Sequence, residues 1–286
     1  MTMHDIAIRI EKLEGLDAVA KPMGAVAKKL IPGGSVKDLL SGTWLGHQLH
    51  PLLTDIPIGS FTSATVLDLI GGRRAQPTAN LLAAIGVAST LPTAAAGLAD
   101  WSDTYGPGRR VGVVHAAANL IGIGFYVASM RSRSRGYRLS ATAYGLVGMG
   151  AMTAGGYLGG HLTLVRGVGV NRTMMEDPSP DWTAATTDAE LIEGQPLLVE
   201  VDDVPTLLYR SGGSKYAVSN TCTHAGGPLN EGDFGEASDG TPCVKCPWHH
   251  STFRLSDGSV VHGPAAVPEP AYAVRKSGDK IEVRPR

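Results

Sequence analysis

Two short segments near the carboxyl end of this 286-residue chain each combine one cysteine with one histidine. The first is Cys222-Thr223-His224, and the second is Cys246-Pro247-Trp248-His249. Thiolate sulfur and imidazole nitrogen both bind transition metals. Two of each suit a pair of sulfide-bridged irons, one held by the cysteines and the other by the histidines. The spacing therefore predicts a [2Fe-2S] cluster ligated by Cys222, His224, Cys246 and His249.

Other interpretations of the cysteines stay open. An odd number of cysteines crowded into one segment is a poor disulfide framework. Cys243-x-x-Cys246-x-x-His249 could hold a zinc ion together with Cys222 or His224. A single zinc ion would not explain the presence of both Cys222 and His224 in the first segment. Three inert buried thiols are a further alternative.

The segments around these cysteines resemble the Rieske ferredoxin family. The resemblance covers about residues 188–286 and rests on Cys246-Pro247-Trp248-His249, on Ser251-Thr252-Phe253 and on Gly263-Pro264-Ala265. It implies a small β domain that exchanges single electrons. Twenty-one residues separate His224 from Cys246, a few more than the family usually has, so we expect a surface insertion at 231–242.

The resemblance also implies a low to middle reduction potential. High-potential members of the family carry an extra cysteine in each ligand loop, and a serine and a tyrosine that bond the cluster. This chain lacks the extra cysteines. Ser251 remains as a hydrogen-bond donor, but Phe253 has no hydroxyl group where a tyrosine would help.

The sequence around the ligand loops has a β texture. Runs rich in β-forming residues alternate with turn signals such as Ser211-Gly212-Gly213 and Ser277-Gly278-Asp279. These runs predict strands at 197–201, 206–210, 215–219, 271–276 and 280–284. The carboxyl-terminal region is therefore expected to be a small antiparallel β domain.

The stretch between Pro51 and Leu164 is apolar and rich in small residues. It divides into four segments, each near the roughly 20 residues that a helix needs to cross a bilayer, at 52–70, 79–99, 111–130 and 140–162. Short loops between them favour up-and-down connectivity. A soluble helical domain would need polar faces, which the last three segments almost lack. We therefore expect a four-helix transmembrane bundle.

Histidines and aspartates at the segment ends form a second group of candidate residues. The up-and-down order places His50, Asp55, Asp100, His115 and His161 at one face of the bundle. They are expected to cap helix ends at the headgroup level, or to bind a b-type haem, a quinone or another metal. His115 and His161 are the predicted haem ligands.

This region also resembles an uncharacterised bacterial family of four-helix membrane domains. The resemblance covers about residues 42–172 and rests on His47-x-x-His50-Pro51, on Pro57-x-Gly59 and on the glycine-rich ending from Gly159 to Val170. It implies an architecture and no reaction.

Together these patterns predict a multidomain chain, an all-α transmembrane bundle followed by a small all-β Rieske domain. The expected parts are a polar amino-terminal segment at 1–50, the membrane domain at 51–172, a linker at 173–187 and the Rieske domain at 188–286. A net charge of -1 and a pI near 6.8 give no basis for a nucleic-acid partner.

The predicted function is one-electron transfer by a membrane-anchored protein in contact with lipid and with a redox partner, which is a reductase, an oxygenase or another electron donor or acceptor. We expect a component of an oxidoreductase system, because no mononuclear iron site of two histidines and a carboxylate accompanies the cluster motif. The alternatives are a membrane oxidoreductase component whose helices bind haem b or quinone, and a zinc-stapled membrane scaffold.

The membrane side of the β domain is predicted from two opposing signals. Six arginines flank the loops after the first and third segments, which favours cytoplasmic loops and an external β domain: Arg73, Arg74, Arg131, Arg133, Arg135 and Arg138. Basic residues flank the opposite face as well, and no paired arginine precedes the fourth segment as a twin-arginine signal requires. We expect a bacterial inner-membrane protein with its β domain in the cytoplasm.

Overall fold

The computed structural model describes residues 2–286 and divides into two compact units. The helical unit consists of the residues up to Ile31 together with Leu49–Val168. The β unit consists of Pro32–Gln48 and Gly169–Arg286. The chain thus enters the β unit briefly before it forms the four long helices.

Within residues 2–286, seven α-helices precede the strands. They are α1 (Met3–Lys12), α2 (Asp17–Leu30), α3 (Ser35–Ser41), α4 (Leu49–Ile70), α5 (Gln76–Ser102), α6 (Gly106–Ser134) and α7 (Arg138–Gly160). Thr2 caps α1 with a reciprocal capping box to Asp5, which satisfies two backbone N–H groups at the helix start. A π-helical turn, His161–Val165, continues α7.

Helices α4 to α7 form the expected four-helix bundle. Each packs against two of the others, in the cyclic order α4, α5, α6, α7. Small residues allow the close contacts. A Cβ atom on Gly122 of α6 would lie 3.1 Å from the Gly148 carbonyl oxygen of α7, and the reverse distance is also 3.1 Å. Such glycine pairs suit helices that associate without a hydrophobic driving force.

Two of the four long helices are long and apolar enough to cross a membrane by length and composition. They are α5 with the short turn before it, Arg73–Ser102, and α6, Gly106–Ser134. The sequence predicted four spans. The helical bundle followed by an all-β domain is confirmed.

A buried ion pair joins α4 to α6 near the ends of both helices. The Arg133 guanidinium donates to both carboxylate oxygens of Asp68, at 2.6 and 3.0 Å, and both side chains are 1% exposed. Gln76 donates to the same carboxylate at 3.2 Å, and Arg133 also donates to the Ser129 hydroxyl at 2.8 Å. A charged pair can be buried between these helices because its hydrogen bonds are satisfied.

The β unit contains ten strands in two antiparallel sheets. The strands are β1 (Thr183–Thr187), β2 (Leu197–Val201), β3 (Val204–Ser211), β4 (Ser214–Ser219), β5 (Asp233–Glu236), β6 (Pro242–Lys245), β7 (Thr252–Arg254), β8 (Val260–His262), β9 (Ala271–Ser277) and β10 (Lys280–Pro285). The first sheet has the order β1-β10-β9-β4-β3-β2, and the second the order β5-β6-β7-β8.

The five predicted strands are present as β2, β3, β4, β9 and β10. The structure adds β1, which lies within the stretch expected to be a linker and pairs with β10. It also shows that 231–242 contributes to a hairpin, because β5 pairs with β6 in the second sheet. Only Phe234 of β5 is half-buried and the other three residues are exposed. A strand with so little alternation between buried and exposed residues is hard to distinguish from a loop by its sequence.

The segment Pro32–Gln48 packs within the β unit next to Gly263-Pro264-Ala265. The Asp38 carboxylate accepts from the Gly263 N–H at 2.7 Å and lies 3.0 Å from His262 Nδ1. The Thr43 hydroxyl donates to the Ala265 carbonyl at 3.1 Å. Part of the amino-terminal segment expected at 1–50 therefore belongs to the β unit.

Candidate metal centre

The first ligand loop, 222–227, follows β4 and closes on itself through backbone hydrogen bonds. The Cys222 N–H donates to the Gly227 carbonyl at 2.9 Å, and the Gly226 N–H donates to the Cys222 carbonyl at 2.8 Å. Gly226 has a φ of +83°, which only glycine adopts without strain. The turn holds Cys222 and His224 two residues apart on a fixed backbone.

The second ligand loop, 246–251, joins β6 to β7 in the same way. The Cys246 N–H donates to the Ser251 carbonyl at 2.8 Å, and the His250 N–H donates to the Cys246 carbonyl at 3.1 Å. His250 is exposed and has a φ of +66°. A positive φ of this size is adopted most readily by glycine, so His250 fills a turn position.

The two loops bring their cysteines together and their histidines together. Cys222 and Cys246 are each 1% exposed, and the Cys222 thiol is hydrogen-bonded to the Cys246 sulfur. The His224 and His249 rings are half-buried and meet edge to face, with centroids 4.9 Å apart and planes at 85°. The sulfurs thus lie inside the domain and the imidazoles lie toward its surface.

Because the two sulfurs are hydrogen-bonded to each other, the pKa values of the two thiols move in opposite directions. The hydrogen bond from Cys222 lowers the pKa of Cys246 to about 6. The same hydrogen bond, followed by burial, raises the pKa of Cys222 above the usual range of a thiol. One thiolate is therefore favoured in this pocket.

The donor set fits a two-iron cluster. Two adjacent sulfurs can share one iron while two adjacent imidazoles share the other, as a Rieske centre requires. The space for the sulfurs is kept open by Gly227. A Cβ atom there would lie 2.8 Å from Cys246 Sγ and 3.1 Å from the Trp248 ring.

Ser251, at the end of the second ligand loop, and Glu269, outside both loops, support the site, and Glu269 carried no signal in the sequence. The fully buried Ser251 hydroxyl accepts from the Ala265 N–H at 2.9 Å, so its own hydrogen is directed elsewhere. The Glu269 carboxylate, 2% exposed, accepts from the Thr223 N–H at 2.7 Å. Burial raises the pKa of Glu269 well above its usual range. In the sequence Glu269 stands between Pro268 and Pro270, and nothing in that pattern indicates that its side chain binds the first ligand loop.

Cys243 lies apart from the four donors. It is on β6, opposite Gly235 and Arg254 in the sheet, and is 7% exposed. The next residue, Val244, packs in the core with Cys222 and Cys246. Because side chains alternate along a strand, Cys243 points away from that core. The zinc arrangement that uses Cys243 is therefore not assembled.

The structure gives His161 and His115, both in the helical unit, different partners. His161 is 4% exposed, and its Nε2 lies 2.7 Å from a carboxylate oxygen of Glu11, which also accepts from Arg166 at 2.6 Å. His115 lies beside His50, with ring centroids 6.4 Å apart. The structure thus does not join His115 to His161, the haem ligands expected from the sequence.

Two known family models match this chain in adjacent regions. The Rieske [2Fe-2S] domain matches residues 181–275. The family described as "Predicted membrane protein (DUF2231)" matches residues 46–172. Between them the two matches span the helical bundle and most of the β unit. A Rieske domain implies a [2Fe-2S] cluster, and the match to the second family suggests a membrane location.

Two known proteins are similar to part of this chain. The 3-phenylpropionate/cinnamic acid dioxygenase ferredoxin subunit of Escherichia coli K12 is 32% identical over 93 residues, which are 32% of this chain and 83% of that protein. A human Rieske domain-containing protein is 40% identical over 58 residues, which are 20% of this chain and only 36% of that protein.

One solved structure is also similar to part of this chain. The ferredoxin of carbazole 1,9a-dioxygenase from Nocardioides aromaticivorans IC177 shares 32% identity, with 37% of this chain and 98% of that chain covered at a TM-score of 0.34. By its carboxyl-terminal domain the chain belongs to the Rieske [2Fe-2S] family, and the region ahead of that domain matches the predicted membrane protein family DUF2231.

Proposed function

We propose that this protein is a membrane-anchored electron carrier whose [2Fe-2S] cluster is ligated by Cys222, His224, Cys246 and His249. The observation that carries the proposal is the pairing of donors, with two buried sulfurs in contact and two half-buried imidazole rings 4.9 Å apart. The cluster supplies one-electron chemistry when bound. The thiolates hold it to the core of the β unit.

The position of the histidines supports electron exchange with a protein partner. His224 and His249 lie at the surface end of the donor set, and the neighbouring Pro247 and Trp248 are exposed. An exposed aromatic side chain beside a redox centre gives a partner an apolar contact. The partner we propose is a reductase or an oxygenase, because the matched Escherichia coli protein is named as the ferredoxin subunit of a dioxygenase. The chain then acts as a component of an oxidoreductase system.

The helical unit serves as the membrane anchor in this proposal. We place it in a bacterial inner membrane, in contact with lipid, with the β unit on the cytoplasmic side. The long apolar helices α5 and α6 support the membrane location. Protease treatment of right-side-out and inverted vesicles tests the side. Cleavage of the β unit in inverted vesicles alone is expected, and cleavage in right-side-out vesicles alone would reverse the assignment.

The test of the cluster is spectroscopy of full-length protein purified anaerobically in detergent. We expect a Rieske-type electron paramagnetic resonance signal on reduction, with two irons and two acid-labile sulfides per chain. Cys246→Ser should abolish the signal, because it removes a buried ligand sulfur. Cys243→Ser is the matched control and should retain it, because Cys243 points away from the site.

Each other outcome would contradict the proposal in a specific way. Zinc in place of iron, with binding lost in both serine variants, would support the zinc-stapled scaffold. A signal that survives in Cys246→Ser would show that the ligand assignment is wrong. A protein that holds the cluster but remains soluble without detergent would refute the anchor.

A further inference from the structure

Helix α2 presents two different apolar faces. The first carries the small residues Ala20, Gly24 and Ala27, which are buried where α2 packs against α5 and α6. The second, here called the α2 stripe, carries four larger side chains that are 42–67% exposed, at the three- and four-residue spacing of a helix face: Val19, Met23, Val26 and Leu30. The packing of α2 on the bundle therefore leaves a row of large apolar side chains at the surface.

The α2 stripe borders an open groove between α2 and α5. Leu98 of α5 forms one wall, and residues of α2 between Ala18 and Leu30 form the other. All the side chains that line the groove are apolar, so a polar ligand would find no side-chain hydrogen-bond partner in it. A surface of this kind fits hydrocarbon, and beside a membrane-spanning helix the available hydrocarbon is a lipid acyl chain.

The contacts of α2 place it at the end of two membrane-length helices. Helices α5 and α6 are long and apolar enough to cross a membrane, and residues 103–105 connect them. Lys28 Nζ donates to the Tyr105 hydroxyl at 3.2 Å, and a Cβ atom on Gly24 would lie 3.1 Å from the Arg109 guanidinium carbon. In the proposed membrane arrangement, α2 thus lies where both helices leave the hydrocarbon core, at the level of the lipid headgroups.

Aromatic residues at this connection agree with a headgroup position. The exposed Tyr105 ring has its centroid 5.2 Å from Lys28 Nζ and 5.0 Å from the Arg109 guanidinium carbon. The Trp101 Nε1–H donates to the Arg109 carbonyl oxygen at 3.0 Å. Tyrosine and tryptophan are enriched at membrane–water interfaces, because each joins an apolar ring to a polar group. The connection between α5 and α6 therefore has the composition of a membrane–water boundary.

Basic residues of α2 lie away from the stripe. Lys28 is about 200° around the helix from Val26, and Lys29 lies between the two faces. Both lysines are exposed. The carboxylate of α2, Asp17, is already bound by the Arg110 guanidinium at 2.7 and 2.9 Å, so it does not neutralise them. One helix thus combines exposed hydrocarbon on one side with positive charge on the other, which is complementary to a membrane of acidic phospholipid.

From these observations we propose that α2 lies in the plane of the membrane surface and binds acidic phospholipid. The α2 stripe and Leu98 contact the acyl chains, and Lys28 and Lys29 bind the negatively charged headgroups. The apolar stripe favours a lipid over a soluble phosphate, because a free anion gains nothing from the hydrocarbon beside the lysines. The proposal rests on the proposed membrane anchor, and it adds to that anchor a lipid class and the residues that recognise it.

The test is photo-crosslinking of full-length protein in nanodiscs that contain equal amounts of phosphatidylglycerol and phosphatidylcholine. Val26→p-benzoylphenylalanine places the photoreactive group on the stripe, at a side chain exposed enough to be enlarged, and the mass of each adduct identifies the lipid. We expect lipid adducts with phosphatidylglycerol in excess. Adding Lys29→Gln should lower that excess about fivefold, the contribution of one basic residue at an anionic surface. Lys280→Gln removes an exposed lysine of β10 instead and should leave the excess unchanged.

Two further positions of the same photoreactive residue report orientation and anchoring. Ala25 is exposed beside Val26 but about 100° around the helix, away from the stripe, so it should form few lipid adducts. Leu120 is exposed on α6 and should form them if the helical unit is in the bilayer. Adducts at Leu120 but not at Val26 would overturn the inference and leave the anchor standing, whereas adducts at neither would overturn both.

The remaining outcomes each contradict a specific part of the proposal. Equal adducts of the two lipids at Val26, or an excess that Lys29→Gln leaves unchanged, would overturn the assignment to acidic lipid. Adducts at Ala25 as abundant as those at Val26 would overturn the orientation of the helix. A covalent dimer formed through Val26 in place of lipid adducts would assign the stripe to a second copy of this chain.

Discussion

Removing one member of the buried pair between Asp68 and Arg133 should destabilise the helical unit strongly. In Arg133→Met the long apolar stem is largely preserved, but the Asp68 carboxylate loses both guanidinium hydrogen bonds. Gln76 remains as its donor at 3.2 Å. The consequence is a carboxylate that is 1% exposed and has no counter-charge from Arg133.

The expected size follows from the burial of the pair. Breaking a buried ion pair by removing one partner typically costs about 3–5 kcal/mol, whereas replacing both partners by apolar residues is often neutral or stabilising. The double variant Asp68→Leu with Arg133→Met should therefore recover most of the loss. For a unit of this size, 1 kcal/mol shifts the melting temperature by about 2–4 °C. We expect Arg133→Met to melt roughly 6–20 °C lower.

Circular dichroism at a helix wavelength during heating in detergent measures this effect, because nearly all helical residues belong to the helical unit. Arg131→Met is the control, since Arg131 is exposed two residues away on the same helix, and it should change stability by less than about 0.5 kcal/mol. If Arg133→Met melted like the control, or if the double variant were less stable than the single one, the reasoning would be refuted.

Three further changes test other parts of the structure. Gly227→Ala should lower the iron and sulfide content per chain, because its Cβ atom would lie 2.8 Å from Cys246 Sγ; full cluster occupancy would contradict this geometry. Phe253→Tyr should raise the reduction potential by about 60 mV in a redox titration if its hydroxyl group donates one hydrogen bond worth about 1.4 kcal/mol to the reduced cluster. Burial raises the pKa of Glu11, but hydrogen bonds and charges from Arg166 and His161 outweigh it and hold that pKa below the usual range. Its contribution to stability is thus complete above about pH 4.5 and is lost as the pH falls through the lower pKa of the folded state; Glu11→Gln should remove this acid-side dependence from unfolding curves.

The β unit was largely predictable because its signals are local. The thiol and imidazole spacing predicted the four donors, and turn residues bounded the five strands found as β2, β3, β4, β9 and β10. The strand β1 was missed because Thr183–Thr187 follows directly on a polar stretch and is recognised only by its pairing with β10. Glu269 was missed for a similar reason, since its hydrogen bond to Thr223 joins residues that are 46 positions apart.

In the helical unit, sequence predicted the elements better than the partners. The lengths of the apolar segments predicted the four helices, and the up-and-down connectivity predicted that the histidines lie at one end of the bundle. The connectivity did not predict which residues each histidine side chain contacts. His161 is bonded to Glu11 of α1, a helix that the sequence treated only as part of a polar segment. The rotation of each helix about its axis decides which histidines meet, and in apolar helices the sequence fixes that rotation weakly.

The discontinuity of the β unit has consequences for how the protein is made. Its two pieces, Pro32–Gln48 and Gly169–Arg286, flank the four long helices in the chain. In the proposed membrane arrangement both pieces of this one folded unit lie in the same aqueous compartment, so residues 49–168 cross the bilayer an even number of times. The segment Pro32–Gln48 is synthesised early. It cannot form its hydrogen bonds to Gly263 and Ala265 until the four long helices and most of the β unit have also been synthesised. A soluble fragment that starts at Gly169 would lack Asp38 and Thr43, and with them part of its own fold.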